Sequence, residues 1–109
     1  MIEKLTVLAE MRARTGKESQ LRSALLDLVG PTHAEEGCLD YDLHESLDEK
    51  GLFWFYENWT SAEALEKHLG SAHLQALPAK LEGLLDGPVR IIRCRRLHAP
   101  KSSGGSAGR

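Results

Sequence analysis

Gly51 to His73 reads GLFWFYENWTSAEALEKHLGSAH, and the fold turns on its first nine residues and the helix behind them. Phe53, Trp54, Phe55 and Tyr56 are consecutive aromatics, a residue type that suits a pleated strand surface. Alternation along a strand points Phe53, Phe55, Glu57 and Trp59 one way and Trp54, Tyr56 and Asn58 the other. Both sets are largely apolar, so both faces of this strand are expected to pack. Five of the six aromatic residues of the chain lie here. Thr60-Ser61-Ala62-Glu63 then reads as a capping box that opens a helix. In that helix Leu65, His68, Leu69 and Ala72 keep the i, i+3, i+4, i+7 spacing of a buried face. His68 thus falls on an apolar helical stripe and Glu57 on an apolar strand face. Two ionisable groups stand where a plain core has none.

Working outward, Cys38 to Ser46 (CLDYDLHES) alternates as a strand, with Leu39, Tyr41, Leu43 and Glu45 on one face. Cys38, Asp40, Asp42 and His44 take the other. Leu47 to Gly51 is a hairpin loop, which pairs this strand antiparallel with the aromatic one. Leu5, Val7, Ala9, Met11 and Ala13 alternate in a first strand. Thr15-Gly16-Lys17-Glu18 repeats the capping-box pattern, and Leu21, Leu25, Leu28 and Val29 follow as a helical stripe. Gly30-Pro31 is expected to kink or break that helix, with Thr32 to Glu36 continuing it as far as a stop at Gly37. Beyond the central stretch, Gly70-Ser71 marks a break. Leu74, Leu77, Leu81, Leu84 and Leu85 carry the helical period on, with Pro78 interrupting and Gly87-Pro88 ending it. Val89, Ile91, Ile92 and Cys94 form a fourth strand with basic flanks.

The order β-α-β-β-α-α-β is a split β-α-β arrangement, an α+β ferredoxin-like sandwich with its helices on one sheet face. The opposite face then carries aromatics that need cover. A contiguous exposed apolar face marks an interface, which predicts a homodimer joined through its sheets.

A chain of 109 residues supports one core without disulfide or metal staples. The domain is expected over residues 1–98, with the small, polar segment 99–109 (APKSSGGSAGR) as a disordered tail, either a linker or an expression remnant. A net charge of −2 with mixed signs carries no nucleic-acid or membrane signature. Cys38 and Cys94 stand outside any CxxC pattern, which reads as reduced thiols in a cytoplasmic protein. The first residues lack a signal-peptide layout, and no apolar run reaches membrane-spanning length.

Several segments together resemble the antibiotic biosynthesis monooxygenase (ABM) family. They are Leu5-Thr6-Val7-Leu8-Ala9-Glu10, Glu35-Glu36-Gly37-Cys38-Leu39-Asp40-Tyr41, Tyr56-Glu57-Asn58-Trp59, Ala64-Leu65-Glu66-Lys67-His68-Leu69 and Ser71-Ala72-His73. The likeness covers roughly residues 2 to 97 and is strongest to the small quinol monooxygenase branch. It is more specific for fold than for chemistry. The resemblance implies a dimeric α+β barrel with a pocket between sheet and helices in each subunit. It also implies oxidation of quinols or polyphenols by dioxygen without flavin, haem or metal.

Other branches of the family differ from this chain at telling positions. Haem-degrading relatives place a Trp where this sequence has His68, and their haem-ligating His where it has Pro78, which cannot ligate iron. Polyketide-oxidising relatives carry an Asn where this chain has Phe55. A third branch resembles isomerases of a phosphorylated autoinducer. It shares Tyr56-Glu57, His68 and a segment like Ala79 to Pro88, but tends to replace Trp59 with Tyr.

The chemistry of a cofactor-free oxygenase requires a base beside the substrate hydroxyl, an aromatic wall and exclusion of water. His68 is the candidate base, since histidine titrates nearest neutrality. Glu57 is the candidate partner that orients it and stabilises the imidazolium. Trp59 and Phe55, on the strand face of Glu57, are the candidate ring wall. Tyr41 is a candidate hydroxyl donor, and Met11 a candidate lining residue. An isomerase would use the same His/Glu pair for proton transfer. Each residue also has a plainer reading, because aromatics and hydrogen-bonded histidines occupy ordinary cores.

His73 follows His68 by five residues, which on a continuous helix places them on different sides and argues against a shared metal. His44 beside Glu45 reads as surface. Arg90, Arg93, Arg95, Arg96, His98 and Lys101 form one basic cluster, by default a solvated face. If the ligand is phosphorylated, one of these arginines should reach the pocket mouth. A non-catalytic dimer that only binds a small molecule is the third reading, and it shares the pocket.

Overall fold

The computed structural model describes residues 4–101. Its elements are β1 (Leu5–Arg12), α1 (Glu18–Leu26), α2 (Val29–His33), β2 (Cys38–Glu45), β3 (Leu52–Trp59), α3 (Ala62–Leu69), α4 (Ala72–Gln75), α5 (Leu77–Leu81) and β4 (Arg90–Cys94). They build one antiparallel sheet in the order β2-β3-β1-β4. This is the ferredoxin-like α+β architecture that the order of elements predicts. The central pair is β1 and β3, in register from Leu5 opposite Trp59 to Arg12 opposite Leu52.

The aromatic strand divides as alternation requires. Phe53, Phe55, Glu57 and Trp59 are all buried on the face that meets the helices. Val7, Ala9 and Met11 of β1 and Tyr41 of β2 are buried with them, and Leu21 and Leu25 of α1 are wholly enclosed. On the opposite face Trp54 and Tyr56 are half-buried, and the Trp54 indole N–H donates to Glu10 (3.0 Å). Asn58 also points away from the helices, buried between Thr6, whose hydroxyl meets its Oδ1 (2.5 Å), and Asp40, which accepts from its amide (2.9 Å).

Several local expectations shift. The α3 cap is Ser61 rather than Thr60: Ser61 has extended backbone and its hydroxyl accepts from the Ala64 N–H (3.1 Å). At α1 no side chain caps the helix, because Gly16 forms the turn at φ +89° and its N–H donates to the Glu18 carboxylate. Gly30-Pro31 does not end α1, which has already stopped at Leu26. Both residues sit in the first turn of α2, where the missing proline N–H leaves no helical bond unmade. Pro78 likewise starts α5. On α3 the buried side is Ala64, Leu65 and His68, whereas Leu69 and Ala72 are exposed because Gly70-Ser71 redirects the chain.

Gly37 positions the site. It has φ +91°, and a Cβ built there would lie 2.6 Å from the Ala64 Cβ. Glycine therefore lets the α2–β2 loop press against α3, which carries Glu35 up to the α3–α4 turn. Cys38 and Cys94 are both half-buried and unpaired with each other. None of the described helices is long and apolar enough to cross a membrane. The tail expected from residue 99 falls outside the described residues from 102 onward.

Candidate active site

Between the sheet and the helices lies a cavity of about 220 Å³. Val7, Ala9 and Met11 of β1, Tyr41 of β2, and Phe55 and Glu57 of β3 form its floor. Leu65 and His68 of α3 form a wall, and Ile91 and Arg93 of β4 form part of the rim. Pairing explains the rim, because Ile91 lies opposite Ala9 and Arg93 opposite Val7. Tyr41 stacks on Phe55 with ring centres 4.3 Å apart. The surface is apolar except where Glu57, His68 and Arg93 enter it, along with Glu66 near the mouth.

Glu57 is only 4 % exposed. Its Oε1 accepts a hydrogen bond from the indole N–H of Trp59 (2.9 Å), two residues along the same strand face. Burial raises its carboxyl to about 7, against the opposing pull of the Trp59 N–H and with a smaller push from Glu35. A carboxyl poised there exchanges protons readily near neutral pH.

His68 is equally enclosed, but its partner is not Glu57. Its Nδ1 meets Glu35 Oε2 at 2.8 Å, and the same oxygen is 2.6 Å from His73 Nε2. A carboxylate oxygen cannot donate, so this contact suits the tautomer with its proton on Nδ1. Nε2, which makes no hydrogen bond to any described residue, is then the basic nitrogen. Burial lowers the His68 pKa, Glu35 works in the opposite direction, and His73 adds to the lowering. Burial thus favours the neutral imidazole and Glu35 the charged one, with burial the larger effect. Trp59 packs on it with ring centres 4.6 Å apart.

Five of the six residues expected at the site line the cavity: His68, Glu57, Phe55, Tyr41 and Met11. Trp59 does not. It is fully buried behind the cavity, where it supports Glu57 by hydrogen bonding and His68 by packing. The carboxylate that hydrogen-bonds His68 is that of Glu35, and no hydrogen bond joins Glu57 to His68 among the described residues. Glu35 sits in a loop with no periodic position. Its one signal in the sequence is the Glu-Glu-Gly triplet before β2, and nothing local ties that triplet to α3.

His68 and His73 do not lie on one continuous helix. They belong to different helices, because the chain turns at Gly70-Ser71, and the Ser71 hydroxyl donates to the His68 carbonyl (2.6 Å). The two rings converge on one carboxylate. Glu35, His68 and His73 each offer a ligand atom, all within 4.8 Å of one another. Of the basic cluster, Arg93 reaches the cavity.

The fold and the cavity define a class: a small ferredoxin-like α+β protein whose apolar pocket holds proton-exchanging groups from β3 and α3. A family model described as "Antibiotic biosynthesis monooxygenase" matches residues 4–80, and the chain belongs to that family. It is 38 % identical over 91 residues to "Putative monooxygenase Rv0793" of Mycobacterium tuberculosis, covering 84 % of this chain and 89 % of that one. It is 31 % identical over 102 residues to "Probable quinol monooxygenase YgiN" of Escherichia coli, covering 82 % and 96 %. The crystal structure of PA3566 from Pseudomonas aeruginosa superimposes with a TM-score of 0.85 at 37 % identity, over 90 % of this chain and 98 % of that one.

Proposed function

We propose that this protein is a cofactor-independent monooxygenase that oxidises quinol or polyphenol-type aromatics with dioxygen. The observation that carries the reading is the convergence on one apolar cavity of a buried His68, hydrogen-bonded through Nδ1 to Glu35, and a buried Glu57. Such a site accepts a hydroxyl proton while keeping water from the ring. The proposal gives His68 Nε2 the role of base, with Glu35 holding its tautomer. Glu57 is a second proton carrier on the strand side, and Phe55, Tyr41 and Met11 seat the ring. A cavity below the usual range of about 300–1,000 Å³ suits one or two fused rings.

The chemistry needs no group beyond substrate and protein. Removing the hydroxyl proton gives an anion that passes an electron to dioxygen, and the radical pair combines at a ring carbon. Cleavage of the resulting peroxide leaves one oxygen on the ring as a hydroxyquinone and releases the other as water. The quinol supplies all four electrons.

The proposal includes a cytoplasmic homodimer joined through the outer sheet face. In its support, Leu8, Trp54 and Tyr56 lie half-buried there next to Ile92, which is 38 % exposed. No membrane or nucleic-acid partner is invoked.

Oxygen uptake by chelator-treated, flavin-free protein with menadiol, against an autoxidation blank and a His68→Ala control, tests the reading. Uptake above the blank that collapses in the variant is expected. Uptake equal to the blank would sink the oxygenase.

One observation favours a second reading. Arg93 lines the rim, where a guanidinium would receive an anionic substituent such as phosphate. An isomerase of a small phosphorylated ligand would use His68 and Glu57 for proton transfer and Arg93 for the phosphate. Phosphate that competes with ligand in the wild type but not in Arg93→Ala supports it.

A further inference from the structure

We propose that Glu35, His68 and His73 form a binding site for one divalent first-row transition ion, of which Zn²⁺ is the best fit. The ligand atoms are His68 Nδ1, His73 Nε2 and a Glu35 carboxylate oxygen. Two imidazoles with one carboxylate are the donor set that zinc and its neighbours take, and harder ions such as Mg²⁺ and Ca²⁺ refuse.

The geometry is nearly that of a ligated site. Glu35 Oε2 lies 2.8 Å from His68 Nδ1 and 2.6 Å from His73 Nε2, and all three ligand atoms fall within 4.8 Å of one another. A tetrahedral ion with bonds of about 2.0–2.1 Å spaces its ligands by about 3.3 Å. The two oxygen–nitrogen contacts therefore need to open by about 0.5 and 0.7 Å and the two nitrogens to stand about 3.3 Å apart, with the ion taking the place of the protons that now lie between them.

The three side chains are also held where they are. His68 is buried in α3, Glu35 rides on the loop pressed to α3 through Gly37, and His73 is fixed by the Ser71 turn. Side-chain exposures of 3 % for His68, 15 % for Glu35 and 20 % for His73 leave an approach on the His73 side. Three protein ligands leave at least one position for water.

Occupancy has a consequence that rests on the proposed function. Ligation through Nδ1 leaves the remaining ring proton of a neutral His68 on Nε2, the nitrogen needed as the base. The ion would thus act as an inhibitor of quinol oxidation, not as its cofactor.

Zn²⁺ is titrated calorimetrically into chelator-stripped, dialysed protein, and Co²⁺ into a parallel sample followed by visible absorption. One ion per chain is expected, with cobalt bands of a nitrogen–oxygen site. His73→Ala and Glu35→Gln should each weaken binding at least about tenfold by removing one of three ligands. His98→Ala, at an exposed histidine outside the cluster, should leave it unchanged. His73 is partly exposed, so its truncation spares the core, and Glu35→Gln gives the same reading if that variant fails to fold. No ion bound by the wild type, or affinity that survives both substitutions, would overturn the proposal. No substrate is present, so failure here leaves the oxygenase reading standing. Conversely, a protein that binds the ion but never oxidises menadiol sinks the oxygenase alone.

Discussion

Replacing Glu57 with Gln separates the electrostatic cost of the site from its packing. Glutamine keeps the volume and offers its carbonyl to the Trp59 N–H, so what it removes is the ionisation. The folded carboxyl titrates near 7 and the unfolded one near 4.5. Between those values the folded state binds the extra proton, so stability from this group falls as pH rises through the window. At about 1.4 kcal/mol per pH unit, the ionised form costs the folded protein about 3 kcal/mol by pH 8. His68 works in the opposite direction, because its folded pKa is lowered: the unfolded state binds the extra proton, and stability is gained as pH rises toward 6.5. Wild type and Glu57→Gln share that contribution, and it cancels in their difference. Urea unfolding of both at fixed protein concentration, from pH 4.5 to 8, should show the variant gaining about 2–3 kcal/mol relative to wild type across the range. A flat difference curve would refute the reasoning: Glu57 would then ionise freely, and its place in an apolar cavity would be wrong.

The other expectations are smaller in scope. His68→Ala should lower the rate of menadiol oxidation by about 10²–10⁴-fold, the usual worth of a positioned base, with an unfolding transition still present in urea. Trp59→Phe removes the N–H that holds Glu57 down, so the window of the difference curve between Trp59→Phe and Trp59→Phe/Glu57→Gln should extend above pH 7. Gly37→Ala forces a Cβ to within 2.6 Å of Ala64 at φ +91°. It should cost about 2 kcal/mol or more in urea unfolding, and an unchanged midpoint would remove Gly37 as the reason the Glu35 loop sits against α3.

Much of this protein is local, and the local part is legible. A strand alternates whatever it packs on, so the burial of Phe53, Phe55, Glu57 and Trp59 on one face follows from their spacing. Helical period and the turn residues between runs are enough to order the elements, and ordered elements of these lengths have few ways to form one sheet. The same spacing puts an acid and a histidine on apolar faces, which is why Glu57 and His68 stand out in the sequence.

Contacts between distant segments are a different matter. Strand parity tells which way Trp59 points but not what it meets, and it meets Glu57 and His68 behind the cavity instead of a ligand. Glu35 is 33 positions from His68 in sequence and becomes its partner because a glycine lets one loop lie on one helix. His68 and His73 look separated only while the helix between them is assumed continuous. A turn at Gly70-Ser71 rotates the second ring back toward the first. The sheet, the order of its elements and the two ionisable groups on apolar faces follow from nearest-neighbour geometry. Which carboxylate meets which histidine depends instead on the backbone path of a loop with no period of its own.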